Sequence, residues 1–112
     1  MQDSTAQLLP LSEATFLILA SLTTAKHGYA IMQDVTAWSG GKTKLGPGTL
    51  YGALTKLLDQ KLIQRAGDSP PGDERRKTYL LTATGRRLVE LECDRLESIA
   101  RLGRKLLNGK EV

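Results

Sequence analysis

Apolar residues along this chain recur with helical spacing in four stretches, and a short alternating stretch interrupts them. The first is Phe16-Leu17-Ile18-Leu19-Ala20, apolar nearly all round, which predicts a helix buried on more than one side. Ser12 is a good N-cap for it and the helix should run over about 12–24, with Leu11 and Phe16 at the two hydrophobic-staple positions. Lys26-His27-Gly28 reads as a turn. Ile31, Val35 and Trp38 stand at i, i+4 and i+7 and predict a second helix over 29–38, ended by Gly40-Gly41. The third helix is the clearest. Leu50, Leu54, Leu57 and Leu58 make one face, Gly46 is the N-cap, and Pro47 sits at N1, where its missing N–H costs nothing.

After Lys61 the pattern changes. Residues 62–65 read as a strand, a stretch dense in turn formers follows over 66–74, and a second strand is expected over 75–81. The two make a β-hairpin with a long tip. Thr82 then caps a last helix reaching to about Leu107, near ~40 Å long at ~1.5 Å per residue. The short segment 42–45 could be a minor strand that pairs with the hairpin, and residues 1–10 read as a mobile or docking arm. The expected class is mainly α with a small β-hairpin (α+β). Three helices followed by a two-stranded wing form a winged helix-turn-helix, with a long C-terminal dimerisation helix. Residues 1–81 would hold the arm and winged-helix domain, and 82–112 the dimerisation helix and tail.

Composition narrows the function classes. Hydrophobic residues are 40% and charged residues 25%, an ordinary globular balance. No apolar run reaches the ~18 residues of a membrane span, and the N-terminus has no basic n-region, so a cytoplasmic protein without membrane contact is expected. With one cysteine, Cys93, and one histidine, His27, the chain lacks an internal disulfide, the usual zinc set and any catalytic constellation. Neither an enzyme nor a metal or cofactor is expected. Cys93 reads as a packed small hydrophobe more readily than as a redox sensor. His27 reads as structural, and Trp38 as a core or interface residue. The net charge of +4 suits a polyanion, so where the charge sits matters more than its total.

The charge sits where a duplex would meet the winged helix. An α-helix fits the major groove and reads base edges with its N-terminal residues. Here that helix opens with Gly46, Pro47, Gly48 and Thr49, small residues that let its backbone approach closely, and free N–H groups at a helix start favour phosphate. Thr49 and Tyr51 bring hydroxyls and Lys56 a charge. Tyr51 could instead be a core or interface tyrosine. Lys42 and Lys44 lead into the helix, and Arg75, Arg76 and Lys77 stand at the base of the wing. Asp68, Asp73 and Glu74 make the wing tip a poor partner for phosphate. On the last helix, Val89, Leu96, Ile99 and Leu106 share a side, with Leu88, Leu91 and Leu102 adjoining. Glu92 and Gly103 interrupt a strict heptad, so a wide apolar dimer surface is expected rather than a clean coiled coil.

The chain resembles the PadR-type transcriptional regulators of the short form, with one C-terminal helix. The likeness rests on LSEATFLILASL (11–22), HGYAI (27–31), GPGTLYGAL (46–54), Leu62-Ile63, and RKTYLLTATGR (76–86), and spans about residues 11–100. It implies a homodimeric, sequence-specific repressor of a pseudo-palindromic double-stranded DNA operator. The third helix would enter the major groove, with Thr49, Tyr51 and Lys56 as contacts and Pro47 and Gly48 close by, and the wing would touch the flanking backbone. The last helix would pack on the partner, often on its N-terminal helix, where Phe16 lies. A small-molecule effector is compatible with this. In some relatives, aromatics at the dimer centre sandwich flat ligands, but the last helix here has none. The competing reading is a winged-helix interaction module that dimerises without binding DNA.

Overall fold

The computed structural model describes residues 4–67 and 77–111. A short 3-10 helix, Ser4–Leu8, precedes α1 (Glu13–Ser21), β1 (Lys26–His27), α2 (Gly28–Trp38), α3 (Pro47–Asp59), β2 (Ile63–Ala66), β3 (Thr78–Leu81) and α4 (Ala83–Leu107). Three helices, a small antiparallel sheet in the order β1-β3-β2 and one long helix make up the α+β winged-helix plan.

Local chemistry explains most boundaries. Ser12 Oγ accepts from Thr15 N–H at 3.1 Å, and Thr82 Oγ1 accepts from Gly85 N–H at 3.0 Å, so α1 and α4 start on side-chain caps. Gly46 and Pro47 open α3 as N-cap and N1. Helix α2 ends where Gly40 and Gly41 take φ of 66° and 80° and their N–H groups bond back to Ala37 and Thr36 carbonyls. The same back-bonding ends α3, but there the left-handed position is Lys61, at φ 60°. A single core joins the elements: Ile18, Leu19 and Leu22, Ile31 and Val35, Leu50, Leu54 and Leu57, Leu62 and Ile63, Tyr79, and Leu88 of α4.

Two expectations change, and the arm takes one of the two forms expected of it. The segment at 42–45 is no strand. Ser39 Oγ accepts from Thr43 N–H at 2.9 Å, which folds this linker into a tethered turn, and Leu45 packs on the core. The third strand is instead Lys26–His27, expected as a turn, with Lys26 opposite Tyr79 and His27 opposite Thr78. The arm is docked over its described part. Its 3-10 helix packs on α4, and Leu11 N–H donates to Glu92 Oε2 at 2.7 Å.

Glu92 itself is buried among helices, at 1% exposure. Arg95 donates to both of its carboxylate oxygens, and these bonds, with the Leu11 N–H, hold its carboxyl below the usual range against the opposing effect of burial. Far from merely interrupting a heptad, Glu92 ties α4 to the start of α1.

Candidate nucleic-acid interface

Helix α3 stands on Leu50, Leu54 and Leu57, all buried, and turns an arc of Gly48, Thr49, Gly52, Thr55, Lys56 and Asp59 to solvent. Leucines spaced four and three apart fix the buried face, and this fixes the exposed one at ~100° per residue. Pro47, Gly48, Thr49 and Lys56 therefore all lie on the surface, as their positions on the leucine pattern require. Lys42 and Lys44 are exposed on the turn that feeds the helix. The exposed arc carries one cation, Lys56, and one anion, Asp59, so α3 by itself is close to neutral.

Tyr51 occupies the edge of α3 nearest α2, not the open face. It is half-buried and packed against the core, and its ring tip lies on Gly28: a Cβ built on that glycine would meet Tyr51 Oη at 2.7 Å. Tyr51 thereby joins the first turn of α2 to the edge of α3. Neither start has a side-chain cap, since His27 and Gly46 make no such bond. Leading N–H groups without a side-chain acceptor are the ones anions bind.

Tyr29 was not singled out by the pattern, yet it is 66% exposed one residue after Gly28. Its signal was available: it lies off the Ile31/Val35 stripe, on the opposite side of α2. Arg65 on β2 and Arg86 at the start of α4 are further exposed cations that the sequence reading left out of the interface. Of the wing-base residues, Arg75 and Arg76 lie outside the described residues, as do Asp68, Asp73 and Glu74. Lys77 is half-buried and already engaged in a contact within the chain.

Residues expected at the dimer surface divide into two groups. Leu88 does not belong there, because it is wholly buried in the core of its own chain, on the face of α4 that also buries Gly85 and Glu92. Leu91 and Phe16 are half-buried. Leu96, Ile99, Leu102 and Leu106 are 44%, 53%, 39% and 55% exposed along the half of α4 that projects beyond the domain. Trp38 is no core residue either. It is 54% exposed, with Lys26 Nζ 4.9 Å from its ring centroid and Lys26 paired to Asp34. Cys93 is half-buried, and burial, followed by the acids around it, pushes its thiol up, the opposite of what a reactive thiolate needs.

Among the described residues no helix is long and apolar enough to cross a membrane. The fold and its outward third helix define a winged helix-turn-helix of the type used by transcriptional regulators. Residues 18–91 match the model of the transcriptional regulator PadR-like family, and the chain belongs to that family. It is similar to an uncharacterized 37.1 kDa protein in transposon Tn4556 of Streptomyces fradiae, 37% identical over 92 residues. The match covers 81% of this chain but only 24% of that protein's length. Among solved structures it is similar to Bordetella bronchiseptica BpsR, whose DNA binding is regulated by 6-hydroxynicotinic acid, at TM-score 0.63 and 25% identity over 88% of this chain and 72% of that one. It is also similar in fold to Bacillus subtilis PadR in complex with operator DNA, at TM-score 0.60 and 23% identity over 72% of this chain and 46% of that one.

Proposed function

We propose that this chain is a homodimeric, sequence-specific DNA-binding regulator, acting as a repressor that a small molecule releases. The observation that carries the reading is the exposed face of α3: a helix start of Gly46, Pro47, Gly48 and Thr49, bare of bulky side chains and caps, held outward by three buried leucines. A surface of this shape lets backbone N–H groups reach phosphate and leaves Thr49 to meet a base edge. Lys56 supplies charge from the same face. Lys42 and Lys44, with Arg75, Arg76 and Lys77 at the wing base, would supply more on either side. Tyr51 contributes by setting α3 against α2, with its hydroxyl at the rim.

Dimerisation is supported by the outer half of α4. Four large apolar side chains, Leu96, Ile99, Leu102 and Leu106, stay 39–55% exposed there. At about 25 cal/mol per Å², covering such a stripe is strongly favourable, and a second copy offers a matching one. Two recognition helices related by a two-fold axis call for a pseudo-palindromic operator with half-sites about one helical turn, ~10 bp, apart. The family and the operator complex of a relative of the same fold favour DNA over the interaction-module reading.

The test is a titration of the full chain against DNA from the region upstream of its own gene, with random-sequence DNA as control, over a range of salt. Preference for the upstream DNA and a log–log salt slope near −0.9 per phosphate contact are expected. A flat salt response would remove the reading.

A further inference from the structure

We propose that the cavity behind the recognition helix is a binding site for a small aliphatic monocarboxylate. The cavity, of about 220 Å³, lies between the N-terminal segment, α3 and α4. Its apolar lining is wholly aliphatic: Leu8 and Pro10 come from the N-terminal segment, Leu57 and Ala53 from α3, and Leu88 from α4. An engineered apolar cavity of ~150 Å³ takes up benzene, so this one has room for a short alkyl chain with its carboxylate. With no ring in the lining, nothing there favours a flat aromatic by stacking.

The polar groups of the cavity decide the charge of its ligand. Lys56, Gln60, Ser12 and Thr15 line it, and no carboxylate does. Lys56 has no ion-pair or hydrogen-bond partner among the described residues. Ser12 Oγ is spent on Thr15, accepting its N–H and donating to its Oγ1 at 2.9 Å, which leaves the Thr15 hydroxyl its own hydrogen to give. The polar residues that border this aliphatic space thus bring an ammonium, an amide and a hydroxyl, all able to donate. The neighbouring groove between α1 and α4 is the reverse case, because Glu13 and Glu92 line it beside Phe16 and Leu96. Leu11 forms part of both walls, so the two spaces are separated by one residue and differ in sign.

One consequence rests on the DNA-binding reading. The ammonium that would meet a phosphate also stands at the mouth of this cavity. A carboxylate bound there neutralises it, so ligand and DNA compete for Lys56 and each weakens the other's affinity by the same factor.

The experiment takes the full chain without DNA and titrates hexanoate, hexanamide and hexylamine, followed by calorimetry and by backbone amide shifts. Saturable hexanoate binding is expected, at least about tenfold tighter than hexanamide, with no binding of hexylamine and the largest shifts at Ala53, Lys56, Leu57 and Leu88. Lys56→Met, a surface change that leaves the core intact, should erase the difference between acid and amide. Ala53→Leu should fill the cavity and abolish uptake. Equal affinity for hexanoate and hexanamide, no saturation in the millimolar range, or shifts centred on Phe16 and Leu96 would each overturn the proposal. Hexanoate binding of the expected kind upholds the site even in a chain that binds no DNA, so the two readings fail separately. Where operator binding is present, hexanoate should weaken it in wild type and not in Lys56→Met.

Discussion

The tip of Tyr51 lies where a side chain on Gly28 would begin: the hydroxyl is 2.7 Å and the nearest ring carbons 3.1 Å from a Cβ built on that glycine. The first turn of α2 and the edge of α3 are set against each other by this contact. It explains why a glycine opens a helix that would otherwise favour nearly any other residue. Gly28→Ala gains about 1 kcal/mol of helix propensity and loses a comparable amount by displacing the tyrosine ring, so thermal stability should change little. The angle between the helices should change, and operator affinity should fall by about tenfold or more. Adding Tyr51→Phe removes the closest atom, and a double-mutant cycle on denaturant midpoints should show coupling of about 0.5–1 kcal/mol. Additive midpoints would mean the contact does not set the packing.

The recognition helix was legible because its signals are local. A proline at N1 and leucines at fixed intervals state both where α3 begins and which arc faces out, and Pro47, Gly48, Thr49 and Lys56 followed from that arc alone. Thr82 announced α4 in the same way. What escaped depends on residues far apart in sequence. A two-residue strand has no periodicity, so Lys26–His27 looked like the turn that its His-Gly pair suggests, and its pairing with β3 is set 51 positions away at Thr78. Glu92 looked like a flaw in an apolar stripe because its partner, the Leu11 N–H, lies 81 residues earlier. Leu88 and Leu96 look alike on a helical wheel. Only the arrangement of the other elements decides that one is core and the other surface.

Two glycines of α4 should respond in opposite directions to the same change. A Cβ on Gly85 would stand 2.0 Å from the Leu62 carbonyl oxygen and 2.7 Å from Leu81 Cδ1, and the first of these is backbone that cannot step aside. Gly85→Ala should cost about 3 kcal/mol or more and leave little folded protein at physiological temperature. Gly103 meets nothing within 4 Å in its own chain, and Gly103→Ala should raise stability by about 0.5–1 kcal/mol through helix propensity. Thermal melts of the two variants check both. A Gly85→Ala melt equal to wild type would contradict the close approach of α4 to the Leu62 backbone.

Glu92 should make the protein acid-sensitive. Its carboxyl is held below its ordinary value of 4.5 first by Arg95 and then, against the cost of burial, by the Leu11 N–H. Between the lowered folded value and the ordinary one the unfolded chain binds the proton and the folded chain does not. The stabilisation is therefore complete above about pH 4.5 and is lost as pH falls through the folded value. Glu92→Gln should flatten that part of the stability curve and cost about 1–3 kcal/mol at neutral pH. Urea midpoints measured across pH 3 to 7, for wild type and variant, read both effects. Parallel curves would assign the acid sensitivity to other groups.

Lys61 closes α3 in a left-handed conformation that costs a residue with a side chain about 1 kcal/mol. Its carbonyl accepts from Thr82 Oγ1 at 2.8 Å, so the turn also receives the start of α4. Lys61→Gly keeps that carbonyl and removes the strain, at the cost of a more flexible unfolded chain. A net gain of about 0.5 kcal/mol is expected, or a few degrees in melting temperature.

Thr49 and Lys56 lie near one line on the outer arc of α3, two turns apart, and should fail in different ways. Lys56 has an ammonium with no fixed partner among the described residues, so Lys56→Ala should weaken binding to every duplex alike and reduce the salt slope by about one unit. Thr49 carries no charge, and its short side chain projects from the helix start, where base edges come within reach. Thr49→Val keeps the shape and removes the hydroxyl. It should reorder operator variants by about 1–3 kcal/mol at one base-pair position and leave random-sequence binding unchanged. Selection of bound fragments from random DNA, with wild type and both variants in parallel, separates the two roles. An unchanged operator ranking for Thr49→Val would remove Thr49 from base reading and leave discrimination to the rim of the helix at Tyr51 or to the deformability of the duplex.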